Sequence, residues 1–149
     1  DDSLKRVSSS EAHKRVASSL LFRGRPERAE ERLRQLMDCL RRASGNDGVH
    51  AWNRASELVW AESWDMHALF ETSEPSFGYM VPESLRVLSL IRELNLKYAE
   101  NETYRKPLVT LDAGPNVHVI GWRDAQSEQM KDELMARVRS FARVEDGVR

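Results

Sequence analysis

Apolar residues recur at helical spacing along most of the first hundred positions. Val16, Ala17, Leu20 and Leu21 follow Ser8-Ser9-Ser10 and Glu11. A capping serine ahead of an acid in the first turn is a start signal, so a first helix is expected there. Gly24 and Pro26 interrupt the pattern, and Pro26 suits the first turn of a second helix. Leu33, Leu36, Met37 and Leu40 predict that helix's buried stripe, which ends at the turn cluster Ser44-Gly45-Asn46-Asp47-Gly48. A third helix is expected from about Val49 to Glu71. Trp52, Ala55, Leu58, Val59, Ala68 and Phe70 form its apolar face, with Trp60, Trp64 and Met66 partly off it. Thr72-Ser73-Glu74-Pro75 stops it, and residues 76–81 read as a loop rich in Gly and aromatics. A fourth helix starts near Pro82 with Leu85, Leu88, Leu90, Ile91 and Leu94 inside, and residues 97–107 read as polar and exposed.

The period changes at Leu108. Leu108-Val109-Thr110-Leu111 and Val117-His118-Val119-Ile120-Gly121-Trp122 are β-type runs on either side of the turn Asp112-Ala113-Gly114-Pro115-Asn116. Asp124 is the expected N-cap of a last helix, from about Ala125 to Ala142, that turns Met130, Leu134, Val138 and Phe141 inward. Residues 144–148 read as a further strand. Four helices, a hairpin and a helix predict one α+β domain over residues 1–149, its helices packed on one face of a small antiparallel sheet.

Composition narrows the classes of function. Lys plus Arg is 23 and Asp plus Glu is 24 in 149 residues, a balance unlike that of a dedicated nucleic-acid or membrane-surface binder. No apolar run approaches the ~18 residues of a membrane span. A single cysteine, Cys39, excludes an internal disulfide framework and cysteine zinc motifs. The chain opens on Asp1-Asp2 without an initiator Met, as expected of a processed or excised piece. Seven arginines lie between Arg23 and Arg42 against four acids; they read as a solvated helix face with i,i+4 pairs rather than as a binding patch.

Two segments have a composition suited to chemistry. Asp112 stands at a strand end before Gly114-Pro115, where a held carboxylate could accept a proton or orient a hydroxyl; otherwise it is a turn aspartate bonding its own backbone. Gly114 admits backbone conformations barred to other residues. Ser8, Ser9 and Ser10 combine hydroxyl donors with a helix N-terminus, which attracts anions, and Lys5, Arg6, Lys14 and Arg15 flank them. Ordinary capping is the alternative. His13, His50, His67 and His118 show no metal-ligand spacing, and His67 reads as a core or supporting histidine. The four tryptophans read as core and rim. There is no Gly-rich phosphate loop and no nucleophile elbow.

Four segments, in order, resemble diphosphomevalonate decarboxylases of the GHMP (galactokinase, homoserine kinase, mevalonate kinase and phosphomevalonate kinase) superfamily. Lys5-Arg6-Val7-Ser8-Ser9 is similar to the family's Lys-x-Val-Ser-Ser stretch, and Met66-His67-Ala68 to its Met-His-Ala. Pro75-Ser76-Phe77-Gly78-Tyr79-Met80 is similar to its proline-aromatic loop, and Asp112-Ala113-Gly114-Pro115-Asn116 to its signature. The resemblance covers about residues 5–146 and implies the C-terminal lobe of that fold.

Such enzymes use Mg-ATP to phosphorylate the 3-hydroxyl of mevalonate diphosphate. Phosphate and carbon dioxide then leave, giving isopentenyl diphosphate in the mevalonate pathway of isoprenoid biosynthesis. The resemblance assigns Asp112 the catalytic role against that hydroxyl, and Ser9, with Ser8 and Ser10 beside it, contact with the substrate's phosphate-bearing end. Bacterial members often carry Arg at the position of Ser10. Arg is a bidentate anion partner, whereas Ser has one donor, so the change bears on diphosphate against monophosphate as substrate, or on phosphorylation of the 3-hydroxyl alone. ATP and Mg are expected mainly on an N-terminal lobe whose phosphate loop this chain lacks, so the chain alone is expected to be inactive. A cytoplasmic homodimer is implied for the intact enzyme. The alternative from another class is a non-catalytic domain of the same fold that binds a partner protein.

Overall fold

The computed structural model describes residues 7–111 and 114–145. Its helices are α1 (Ser9–Arg15), α2 (Arg25–Arg42), α3 (Gly48–Glu71), α4 (Pro82–Tyr98) and α5 (Ala125–Val138), with a 3-10 turn at Val16–Ser18. Strands β1 (Leu108–Leu111) and β2 (Val117–Ile120) lie between α4 and α5. They pair antiparallel, Leu108 opposite Ile120 and Leu111 opposite Val117, so residues 112–116 close the hairpin. The expected α+β architecture with a small antiparallel sheet is the one observed.

Three apolar clusters hold these elements. The largest joins Val87, Leu88, Ile91 and Leu94 of α4 to Val109 and Leu111 of β1 and to Met130, Leu134 and Val138 of α5. Ile91 and Leu94 are fully buried in it. A second surrounds the ring stack of Phe70, Phe77 and Tyr79 and includes Val7, Ala12 and Val16. A third joins Cys39 of α2 to Ala55 and Leu58 of α3, with Leu36 and Leu108 against it. Asp124 caps α5, its carboxylate accepting from Ser127 N at 2.8 Å.

The sequence expectations depart from the structure at identifiable points. Leu20 is almost wholly exposed, because the chain turns at Val16–Ser18 before the first helix reaches it. Leu33, Met37 and Leu40 are also exposed, and Cys39 is the buried residue of α2. The helix is rotated by roughly 100°, one residue's worth, from the orientation its leucines predict. The N-terminal half of its inward side carries Arg25, Arg28 and Arg32. Arg28 and Arg32 bond Asp65 of α3 at 2.9 and 2.8 Å, Arg32 bonds Glu62 at 2.7 Å, and Arg25 also pairs with Glu62. These three arginines form an ion network between α2 and α3 and not the solvated face expected of them, because Glu62 and Asp65 lie opposite; Arg34 and Arg42 do make exposed pairs of the expected kind, with Glu31 and Asp38.

Leu85 is about half exposed because its neighbour Ser84 holds the inward position on α4. Residues 104–107 are not an exposed linker: Tyr104 and Pro107 are buried. Val144 and Glu145 form no strand, and the rest of that expected strand lies outside the described residues.

Candidate functional site

The longest helix carries a line of polar side chains on an otherwise apolar face. Trp52, Ser56, Ser63 and His67 are spaced four, seven and four residues apart, which places them along one side of α3. That side meets the segment leading into the hairpin turn. The Trp52 indole donates to Lys106 O at 2.8 Å, and Asn53 beside it accepts from Lys106 N at 2.8 Å and donates to Tyr104 O at 3.0 Å. Ser56 donates to Pro107 O at 2.6 Å, and Ser63 bonds the Thr110 hydroxyl at 3.2 Å. Buried backbone needs such partners, and α3 supplies them at Tyr104, Lys106 and Pro107, ahead of the β1–β2 pairing, while Ser63 meets the Thr110 side chain within it. The strand therefore enters the turn from a fixed track.

His67, 3% exposed, ends this line. Its ring meets Phe70 edge-on at 5.3 Å. Burial pushes its pKa below the ordinary histidine value, while a hydrogen bond donated by the ring to the Leu111 backbone works the other way. The lowered pKa favours a neutral ring, and Nε2 is buried without a partner. The core role expected of His67 is thus the observed one. Ser84 on α4 holds the far side of the turn, donating to Pro115 O.

Sequence reasoning missed Ser56, Ser63 and Ser84. The available signal was small polar residues inside apolar helix faces, positions that cost stability unless the hydroxyl finds a buried partner. A Cβ at Gly114 would meet no atom of the described residues within 4 Å, which leaves its backbone face open among them.

Asp112 itself lies outside the described residues, as do Lys5 and Arg6. The serine segment is described. Ser8 caps α1, its hydroxyl accepting from Glu11 N at 3.2 Å, and Ser8, Ser9 and Ser10 are all exposed. The Tyr79 hydroxyl donates to Val7 O at 2.9 Å and fastens this segment to the proline-aromatic loop. Tyr79 packs on Phe70, and Phe70 on His67. A continuous chain of contacts therefore links the serine segment to the strand leading into the Asp112 turn, across the C-terminal half of α3. Three of the four quoted segments meet through Val7, Tyr79 and His67, and the fourth begins one residue beyond Leu111.

The match to known proteins covers the same span. The family model described as "Mevalonate 5-diphosphate decarboxylase C-terminal domain" matches residues 1–147. The chain belongs to this family. The mevalonate diphosphate decarboxylase from Legionella pneumophila is 30% identical with a TM-score of 0.72, over 89% of this chain and 38% of that one. The decarboxylase from Enterococcus faecalis, described with a mevalonate diphosphate mediated ATP binding mechanism, is 23% identical with a TM-score of 0.69, over 87% and 36%. A decarboxylase designated MDDEF, in complex with MVAPP, AMPPCP and magnesium, is 24% identical with a TM-score of 0.70, over 88% and 36%. No curated protein matches by sequence. The chain thus spans well under half the length of these decarboxylases, and what it matches is their C-terminal domain.

For nucleotide and metal, this decarboxylase domain has little to offer. The sequence has no phosphate loop. Among the described residues, no group of three or more His, Cys, Asp or Glu could hold a metal ion. No described helix is long and apolar enough to cross a membrane.

Proposed function

We propose that this domain is the substrate-side half of an ATP-dependent decarboxylase acting on mevalonate 5-diphosphate and releasing isopentenyl diphosphate, phosphate and carbon dioxide. The observation that carries the reading is the family match over residues 1–147, with Asp112-Ala113-Gly114-Pro115-Asn116 closing the hairpin between β1 and β2. A carboxylate one residue beyond a strand held by Ser63 and paired with β2 can be aimed at a hydroxyl and take its proton as phosphate is transferred. The same charge disfavours a substrate carboxylate beside it, which favours loss of carbon dioxide. The open backbone face at Gly114 leaves room for a ligand.

Ser9 and Ser10, exposed beside the Ser8 cap, supply hydroxyls toward the phosphate-bearing end of the substrate. Nucleotide and magnesium belong on a preceding lobe, in keeping with the greater length of the relatives. Association of two such enzymes into a homodimer and a cytoplasmic location belong to the same reading.

Asp112→Asn in the two-lobe enzyme tests this. It preserves size while removing charge and basicity. Turnover is expected to fall by about 10²–10⁴-fold, the span typical of general acid–base groups, with KM little changed. ATP hydrolysis and carbon dioxide release are followed with mono- and diphosphorylated mevalonate, which also decides the substrate. Near-normal turnover would return Asp112 to the role of a turn aspartate. Failure of the wild-type enzyme to release carbon dioxide from either substrate would favour a partner-binding domain.

A further inference from the structure

The outer side of α2 is apolar. Leu33, Met37 and Leu40 are 59%, 44% and 39% exposed, and their spacing of four and three residues puts them on one stripe. The inner side of the helix is already taken, by Cys39 against Ala55 and Leu58 and by Arg25, Arg28 and Arg32 against α3. The stripe is thus left in water among the described residues, and a contiguous apolar patch in water marks an interaction surface.

Charge indicates what covers it. Glu30 and Arg41 are exposed, and among the described residues neither has an ion-pair partner, whereas Arg34 and Arg42 on the same helix are paired with Glu31 and Asp38. Eleven residues at about 100° each return to nearly the same side of a helix, so Glu30 and Arg41 flank the stripe together, about 16 Å apart along the axis. An acid at one end of a flank and a base at the other make that flank its own complement when reversed. Two identical helices paired antiparallel about a two-fold axis bring like flanks together. Glu30 then meets the partner's Arg41, twice over, and the same register seats Leu33 between the partner's Met37 and the partner's Leu40. Parallel pairing would hold the opposite charges at opposite ends. We propose that α2 is an interface between two copies of this chain, paired antiparallel through Leu33, Met37 and Leu40 and keyed by Glu30 against the partner's Arg41. This deepens the homodimer reading above, on which it rests, by assigning the surface and its register.

Sedimentation velocity of the intact two-lobe enzyme at rising concentration tests this. The wild type is expected to pass reversibly from monomer to dimer. In dilute solution the copies separate by mass action, so stability measured there reads the fold alone. Glu30→Arg and Arg41→Glu each turn two attractive contacts into two repulsive ones and are expected to raise the dimer Kd roughly ten- to a hundredfold at low salt. The double reversal Glu30→Arg/Arg41→Glu restores both contacts and is expected to return Kd to within about threefold of wild type. Mixed in equal amounts, the two single variants are expected to pair with each other in preference to themselves. Salt screening should narrow all these differences, and Leu33→Glu should abolish the dimer.

A wild type that stays monomeric at every concentration would sink the proposal and the homodimer reading together. A dimer indifferent to the charge reversals and to Leu33→Glu would overturn this surface and leave the homodimer standing. Weakening by the single reversals without recovery in the double variant would overturn the antiparallel register. A marked drop in melting temperature for Leu33→Glu in dilute solution would mean that the rest of the same chain covers the stripe, which also overturns the proposal. If a reversal does not fold, Glu30→Gln and Arg41→Gln replace it, each expected to weaken the dimer about threefold; an unchanged Kd in both would count against the surface.

Discussion

Replacing Asp65 with Asn tests whether α2 is held to α3 by charge or by its leucines. The Asp65 carboxylate accepts from Arg28 at 2.9 and 3.1 Å and from Arg32 at 2.8 Å. Its side chain is 13% exposed, against 21% for Arg32 and 39% for Arg28. Hydrogen bonds to charged groups contribute ~1.5–3 kcal/mol when shielded, whereas exposed ion pairs contribute ~0.2–1 kcal/mol. Half-buried partners fall between these limits, and Asn retains one acceptor oxygen. The expected loss is about 1–2 kcal/mol, or roughly 2–8 °C in melting temperature for a chain of this size. Urea denaturation followed by circular dichroism measures it, and hydrogen exchange should show the loss concentrated in α2.

The pH dependence follows from the same contacts. Burial works to raise the Asp65 pKa, but the bonds from Arg28 and Arg32 outweigh it and hold the carboxyl below its ordinary value. A carboxyl with a depressed folded pKa binds fewer protons in the folded state. Its contribution is therefore complete above the unfolded value of about 4 and is lost as pH falls through the folded one. The gap between wild type and Asp65→Asn should close progressively below about pH 4. A variant as stable as wild type at pH 7, or a gap of constant size into acid, would refute the argument that charge holds α2.

The exposed leucines supply the complementary test. Leu33→Gln should cost less than ~0.5 kcal/mol, as an ordinary surface change does, because Leu33 is 59% exposed; Ile91→Ala, at a fully buried site, should cost ~2–5 kcal/mol. Comparable losses in the two denaturation curves would mean that α2 buries its leucine stripe. Ser9→Ala in the two-lobe enzyme should raise KM about ten- to a hundredfold, the worth of one hydrogen bond to a charged group; unchanged steady-state KM for the phosphorylated substrate would remove Ser9 from the binding surface.

Local signals were enough for the elements. Pro26, Pro82, Asp124 and the period switch at Leu108 marked where helices and strands begin, since caps, proline and side-chain period act within a few residues of themselves. The order of the four quoted segments pointed to the family, and Asp112 and Ser8 to Ser10 could be singled out from sequence alone. The inward sides of α3, α4 and α5 were largely legible, with Ala55, Leu58, Leu88, Ile91, Leu94, Met130 and Leu134 buried as their spacing predicts, but tertiary structure alone decided which side of α2 faces inward. Leu33, Met37 and Leu40 form a regular stripe, yet Arg25, Arg28 and Arg32 point toward α3 because Glu62 and Asp65 wait there. No pattern within α2 carries that information, since the deciding charges lie some thirty or more residues away along the chain. The same holds for Ser56, Ser63 and Ser84. Each reads as an unremarkable small polar residue until its partner, at Pro107, Thr110 or Pro115, is brought against it. A hydrogen bond is a property of two groups in space, and the chain lists them far apart.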